Sequence, residues 1–359
     1  QIAQKRITSI IGPSGCGKTT TAVNLAAALA QMGHKVLIVD LDPQAHATLG
    51  LGYEPDTLDR TIYHSLANKQ LEISKVITST KIEGLDLAPS NILLAKVQNE
   101  LTAVSRKEYI LAERLSAVGT KYDFCVIDCP PSLDLLTYNA LVASTDVIVP
   151  VQVHYYALEG LKQLLETVKI ARRRFYPCSV KILGILLTFV EGKAALSQQV
   201  EQQMRQFFGN LVFDTVIRSS ISLAEAPSAG ESIITYDPES KGAADYKALA
   251  IEVTDPEYKR KRRLPKEVSA IVDEIETSKK AELLQPPVTK EPHKPRPRPI
   301  LRLKSIKRKF SFLSIAAIIL VIIVVALMII LDMTNNPPVA KPEYITVQED
   351  KPASITLTA

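Results

Sequence analysis

The sequence predicts an α/β domain built on a doubly wound, mostly parallel sheet, and three observations carry that expectation. A short apolar run at 7–11 leads into a small-residue loop, an Ala-rich segment of helical period and a second apolar run at 35–40, the order of a βαβ unit. Further apolar runs then alternate with helix-period segments as far as about residue 253. Two of the runs end in an aspartate, which puts polar chemistry over the carboxyl ends of the strands, where open α/β sheets bind their ligands.

Taken in order, residues 5–11 (KRITSII) read as a buried strand and 19–32 as a helix closed by Gly33. Residues 35–40 (KVLIVD) form the next strand, and the right-handed crossover between the two implies parallel pairing. Strand-like runs follow at 85–88, 124–128, 147–151 and 180–187, separated by helix-period segments such as 107–118, 155–174 and 196–208. The domain is expected to end near Val253, giving boundaries of 1–255.

The loop after the first strand, Ile11-Gly12-Pro13-Ser14-Gly15-Cys16-Gly17-Lys18-Thr19-Thr20, fits G-x-x-x-x-G-K-[ST], with Gly12, Gly17, Lys18 and Thr19 at the fixed positions. Small residues there let backbone N–H groups curl round a phosphate at a helix N-terminus. Lys18 can reach the β- and γ-phosphates and the Thr19 hydroxyl can ligate Mg²⁺, so the loop reads as a nucleoside triphosphate site. Asp40-Leu41-Asp42-Pro43-Gln44 ends the second strand, and Asp128 ends the apolar run 124–128 before Cys129-Pro130-Pro131. A carboxylate at such a strand end can hold Mg²⁺ through water. One aspartate at a strand end is more often a turn former; three beside a phosphate loop favour the site.

Charge is unevenly spread. Residues 1–255 carry 24 Lys+Arg against 27 Asp+Glu, a net of −3, while residues 256–309 carry 17 against 7, a net of +10. The basicity therefore concerns the partner of one segment and not of the domain. Cys16, Cys125, Cys129 and Cys178 show no metal-ligand spacing with histidines and read as reduced thiols of a cytosolic domain.

Beyond residue 255 the composition changes. Residues 256–309 read as a disordered, basic, Pro-rich linker, containing Lys259-Arg260-Lys261-Arg262-Arg263 and a short amphipathic stretch at 267–284. Its basic runs suit nucleic acid or a membrane surface. The next segment favours the membrane: residues 310–331 are 22 consecutive uncharged residues, the length of a transmembrane helix. The basic flank before Phe310 puts the domain in the cytoplasm and the tail outside. Residues 332–359 alternate apolar and polar positions as a short β-type tail, and the chain starts without Met and ends mid-pattern, as a piece of a longer product would.

The blocks GCGKTTTAVNLAAALA (15–30), VLIVDLDPQAHATLGLG (36–52), YDFCVIDCPPSLDLLTYNAL (122–141) and LAEAPSAGESIITYDPESKGAADYKALAIEV (223–253) resemble the ParA/MinD family of P-loop ATPases, in its ParA/Soj-like partition branch. The tail resembles the opening of cadherin-like or immunoglobulin-like surface repeats. The family resemblance implies ATP and Mg²⁺ as ligands, bound by Gly12, Gly15, Cys16, Gly17, Lys18, Thr19, Thr20 and Asp40. By the same resemblance Lys18 and Asp42 are catalytic, Asp42 orienting the attacking water. Thr19 ligates the metal, Asp128 holds it through water, and Thr20 serves the α-phosphate.

Two departures from the family pattern stand out. Family members usually carry a lysine five residues before the P-loop lysine, which reaches the partner's phosphate in an ATP-sandwiched dimer; this chain has Pro13 there and Ser14 in place of a glycine. The family's I-P-R-N-V-R-L reads here as Val216 to Leu223, with Ser219 and Ser222 replacing arginines and Arg218 beside them, and another family arginine is Lys193. The electrostatic footprint for DNA is therefore weak. Arg172-Arg173-Arg174 reads as a solvated helix end in preference to a substitute DNA patch.

The expectation is a membrane-tethered ATPase that binds and hydrolyses MgATP to position or regulate a protein partner or surface module, with membrane lipid, a homodimer and an unknown protein as partners. Two other readings stand beside it. One is a nucleotide-binding scaffold with little hydrolysis, motivated by Pro13; the other is a DNA or chromosome partition ATPase.

Overall fold

A computed structural model describes residues 6–153, 157–192 and 194–255, all within the first of the two units into which the chain divides, Gln1–Pro286. Its elements in chain order are β1 (Arg6–Ile10), α1 (Lys18–Gln31), β2 (Val36–Asp40), α2 (His46–Gly50), α3 (Ile62–Ala67), β3 (Thr78–Ser79) and β4 (Leu85–Ala88). There follow α4 (Val97–Glu100), α5 (Ile110–Ser116), β5 (Phe124–Asp128), α6 (Leu135–Ala143), β6 (Asp146–Gln152), α7 (Ala157–Arg174) and β7 (Lys181–Thr188). The last are α8 (Ala195–Phe208), α9 (Ile221–Glu225), α10 (Ile233–Tyr236) and α11 (Lys241–Thr254).

The strands make one seven-stranded sheet in the order β3-β4-β2-β5-β1-β6-β7. Every pairing is parallel except that of β3 with β4. The doubly wound sheet expected from the sequence is thus present, and each expected strand forms within a residue or two of its predicted limits. The two residues of β3 were too few to show a period of two.

Helices cover both faces, so β2 and β5 at the middle of the sheet are apolar up to their closing aspartates instead of alternating. Along the fully buried β2, Val36 and Ile38 join the core beneath α1 and α11, while Leu37 and Val39 join the core beneath α5, α6 and α7. The run of alanines in α1, with Ala26, Ala27 and Ala28 all buried, lets that helix lie close to the sheet and to α11. α11 starts at a capping serine, Ser240, whose hydroxyl accepts from Ala243 N at 3.1 Å, and it buries Tyr246, whose hydroxyl meets Thr21 Oγ1 at 3.3 Å.

Two long-range polar ties hold the frame that carries the site. The Arg6 guanidinium, at the start of β1, donates through Nε to Asp146 Oδ2 at 2.8 Å and through Nη1 to the carbonyl of Val253, fastening β1 to β6 and to the end of α11. Asn24, buried in α1, donates to Thr20 O at 2.8 Å and accepts from Ile233 N at 2.7 Å, joining the first turns of α1 to the start of α10.

The expected membrane location is corrected by this structure: among the described residues no helix is long and apolar enough to cross a membrane. The 18-residue α7 illustrates the reason, because Glu166 and Lys169 interrupt it and Arg172, Arg173 and Arg174 fill its last turn. Residues 256–309, 310–331 and 332–359, on which the expected linker, transmembrane helix and β-type tail fall, lie outside the described residues, as does Lys193. The three arginines are exposed, as expected of a solvated helix end, and all four cysteines are free thiols.

Candidate nucleotide-binding site

β1, β2 and β5 lie side by side, and their carboxyl ends deliver the phosphate loop, Asp40 and Asp128 to one place. Ile10 is the register partner of Asp128, and Asp128 that of Asp40. The loop folds as it does because of small residues. Gly17, at φ +86°, caps α1 in a left-handed conformation and leaves the helix N-terminus without a side-chain cap. At Gly12 a Cβ would stand 2.6 Å from Cys16 Sγ and 3.1 Å from Pro150 O, so only glycine fits. From the far side, the Thr188 hydroxyl at the end of β7 donates to Cys16 O at 3.0 Å and steadies the loop.

Lys18 is buried, and its Nζ donates to Pro13 O at 3.0 Å across the loop. Burial raises the Cys16 thiol to about 11, with Lys18 pulling it partly back, so the side chain is a packed, protonated group and its backbone is what the loop can offer a phosphate. Thr20 lies in the first turn of α1, where its carbonyl accepts from Asn24. Pro13, Ser14 and Gly15 form the exposed tip of the loop.

The three aspartates differ sharply. Asp40 is fully buried and fully bonded: Oδ1 accepts from Asp42 N at 3.1 Å, and Oδ2 from Thr48 N at 2.8 Å and Thr48 Oγ1 at 2.7 Å. Asp42, 7 % exposed, accepts from Gln44 N at 2.9 Å through Oδ1. Asp128 is 0 % exposed, and neither of its carboxylate oxygens has a hydrogen-bond partner. Burial pushes the Asp128 carboxyl well above the usual carboxylate range and Asp40 pushes it further. The nearby Thr19 hydroxyl and Lys18 act against this without forming a full hydrogen bond to it. Burial also raises Asp40, against the hydrogen bonds from Thr48 and Asp42 N.

A buried, unbonded carboxylate beside a second carboxylate is costly unless a cation joins it. Asp128 and the Thr19 hydroxyl form a donor set of hard oxygens suited to Mg²⁺, and a loop of backbone N–H groups with a lysine suits the phosphates. The structure therefore brings together the phosphate loop, Thr19, Asp40, Asp42 and Asp128. Sequence reasoning missed Thr48, Ser90 and Thr188, buried hydroxyls on separate elements that no local pattern singles out.

The second departure noted in the sequence also takes a definite form. Arg218 binds Asp245 through Nε at 3.0 Å and through Nη2, and donates to Lys241 O at 3.4 Å, while Ser222 Oγ donates to Asp237 at 2.8 Å. The arginine beside the replaced positions is thereby committed to the domain's own α11.

Fold and site together define a P-loop nucleotide-binding protein. The profile of a family described as an AAA domain matches residues 5–182. The chain is 46 % identical over 239 residues to the sporulation initiation inhibitor protein Soj of Bacillus subtilis, a match covering 67 % of this chain and 94 % of Soj. It is 41 % identical to the chromosome partitioning protein ParA of Myxococcus xanthus, over 67 % of this chain and 84 % of that protein. Among solved structures it resembles cobyrinic acid a,c-diamide synthase from Mycobacterium smegmatis with a bound ATP analog and magnesium. The TM-score is 0.63 and the identity 32 %, covering 73 % of this chain and 98 % of that one. The chain belongs to the ParA/MinD family of P-loop ATPases.

Proposed function

We propose that this chain binds MgATP at loop 12–19, hydrolyses it, and works as an ATPase switch in the partition of DNA or another cargo, with residues 1–255 as the ATPase domain. The observation that carries the reading is the buried, unbonded Asp128 carboxylate next to the phosphate loop, which asks for a hydrated cation. The likeness to Soj and ParA supports the partition role, and the likeness to a structure holding an ATP analog with magnesium supports the ligands.

In this reading Lys18 turns from Pro13 O to the β- and γ-phosphates, and the backbone N–H groups from Gly15 to Thr20 surround them. Mg²⁺, held by the Thr19 hydroxyl and through water by Asp128, would offset phosphate charge during transfer. Asp42 orients the attacking water. A scaffold that binds ATP with little turnover is the second reading, favoured by Pro13, which sits at the exposed loop tip with no cation to offer a neighbouring nucleotide.

Titration calorimetry and steady-state phosphate release on the full chain test both. Binding with turnover, each lost in Lys18→Ala, supports the ATPase; binding without turnover supports the scaffold; unchanged ATP affinity in Lys18→Ala refutes the site.

A further inference from the structure

A buried polar network outside the phosphate loop joins the end of β2 to the end of β4. The Thr48 hydroxyl is used on both sides, donating to Asp40 Oδ2 at 2.7 Å and accepting from Ser90 N at 2.9 Å. Ser90 then returns to the same loop, its Oγ donating to Asp42 O at 2.8 Å. Asp40, Thr48 and Ser90 are all fully buried. Segment 41–48 is thus held at both ends by Asp40 and gripped at two points by one serine from the loop just after β4.

The same segment contains Ala45 at φ 55°, a left-handed conformation that a residue with a Cβ keeps only where its surroundings impose it. Ala45 N donates to Asp42 O at 2.9 Å, so the strained residue and Ser90 share one acceptor, the carbonyl of Asp42.

We propose that Thr48 and Ser90 are positioning residues of the hydrolytic reaction, locking segment 41–48 so that Asp42 presents its carboxylate to the nucleotide. The proposal rests on the reading of Asp42 given above as the residue that orients the attacking water. Asp40 then acts as the anchor of the loop, its oxygens taken by three donors, and the cation is left to Asp128. Neither Thr48 nor Ser90 is hydrogen-bonded to residues of loop 12–19, so loosening the lock affects the chemical step more than nucleotide affinity.

The test compares Ser90→Ala, Thr48→Val and Thr48→Ser in the full chain, by kcat and KM for MgATP and by amide hydrogen exchange over residues 42–48. Ser90→Ala and Thr48→Val should each lower kcat at least about ten-fold while KM stays within about two-fold, and both should speed exchange in that segment. Thr48→Ser keeps donor and acceptor and should return kcat to near the wild-type value. Equal losses in kcat and in ATP affinity, unchanged kcat, or failure of Thr48→Ser to rescue would each overturn the proposal. Should Thr48→Val not fold, Ser90→Ala, which removes a single hydroxyl, carries both readouts. A wild-type chain that binds MgATP without turnover refutes the hydrolytic reading, and with it the positioning role. The exchange data then show separately whether the lock itself exists, and unchanged exchange in Ser90→Ala rules it out.

Discussion

Asp40 and Asp128 are register partners at the carboxyl ends of adjacent strands, yet one carboxylate is filled with hydrogen bonds and the other has none. On the proposed reading, the bonded Asp40 is structural and the unbonded Asp128 is the one that takes the cation through water. Asp128→Asn is accordingly expected to reduce the Mg²⁺-dependent gain in ATP affinity by about ten-fold, ~1.4 kcal/mol. Calorimetric titration of ATP with and without Mg²⁺ measures it, and an undiminished gain would contradict the assignment.

Asp42→Ala should separate catalysis from binding. Loss of a group that positions the attacking water is expected to lower kcat by about 100-fold while ATP affinity stays within a few-fold. Single-turnover phosphate release against equilibrium binding gives the comparison; a parallel fall in both would move Asp42 out of the reaction.

Pro13 and Ser14 occupy the exposed tip of the loop and carry no charge. A fragment of residues 1–255 is therefore expected to form an ATP-dependent dimer weakly or not at all, and Pro13→Lys with Ser14→Gly to strengthen it. Sedimentation velocity with and without MgATP decides, and a tight dimer of the unaltered fragment is the contrary result.

Weak non-specific DNA binding is expected of the same fragment, because its net charge is −3 and Arg218 is bound to Asp245. Retention on plasmid DNA should be slight at physiological salt, and a steep fall of affinity with log salt, the signature of many phosphate contacts, would refute this.

The tie between Arg6 and Asp146 is largely buried, with side-chain exposures of 6 % and 13 %. Burial lowers the Arg6 pKa, and Asp146 opposes that shift by charge and hydrogen bond. Asp146→Asn leaves a buried guanidinium uncompensated, so unfolding of the full chain in urea should show a loss of about 3 kcal/mol. A change below about 1 kcal/mol would show that Val253 O and water suffice.

Much of this was legible in the sequence because it is local. The apolar runs fix the strands, the glycine spacing fixes the phosphate loop, Asp40 and Asp128 announce themselves by ending strands, and Asp42 by following two residues after Asp40. What stayed hidden depends on register between distant strands. Ser90 reaches Thr48 only because β4 lies beside β2, and Thr188 reaches Cys16 only because β7 pairs in parallel with β6 next to β1, so that its carboxyl end comes level with the phosphate loop. Arg218 reads as a free cation until α11 brings Asp245 against it. The membrane expectation came from residues 310–331, and the helices that are described follow a different logic, with charged faces or contacts to the sheet.

Asn24 has a consequence for which substitutions the chain can accept. Its amide both gives and takes a hydrogen bond within the buried space between α1 and α10. Aspartate cannot give, alanine strands the N–H of Ile233, and glutamine overshoots by a methylene. Position 24 therefore favours asparagine, and Asn24→Ala, which leaves the buried N–H of Ile233 unpaired, should cost about 1–3 kcal/mol in urea unfolding of the full chain.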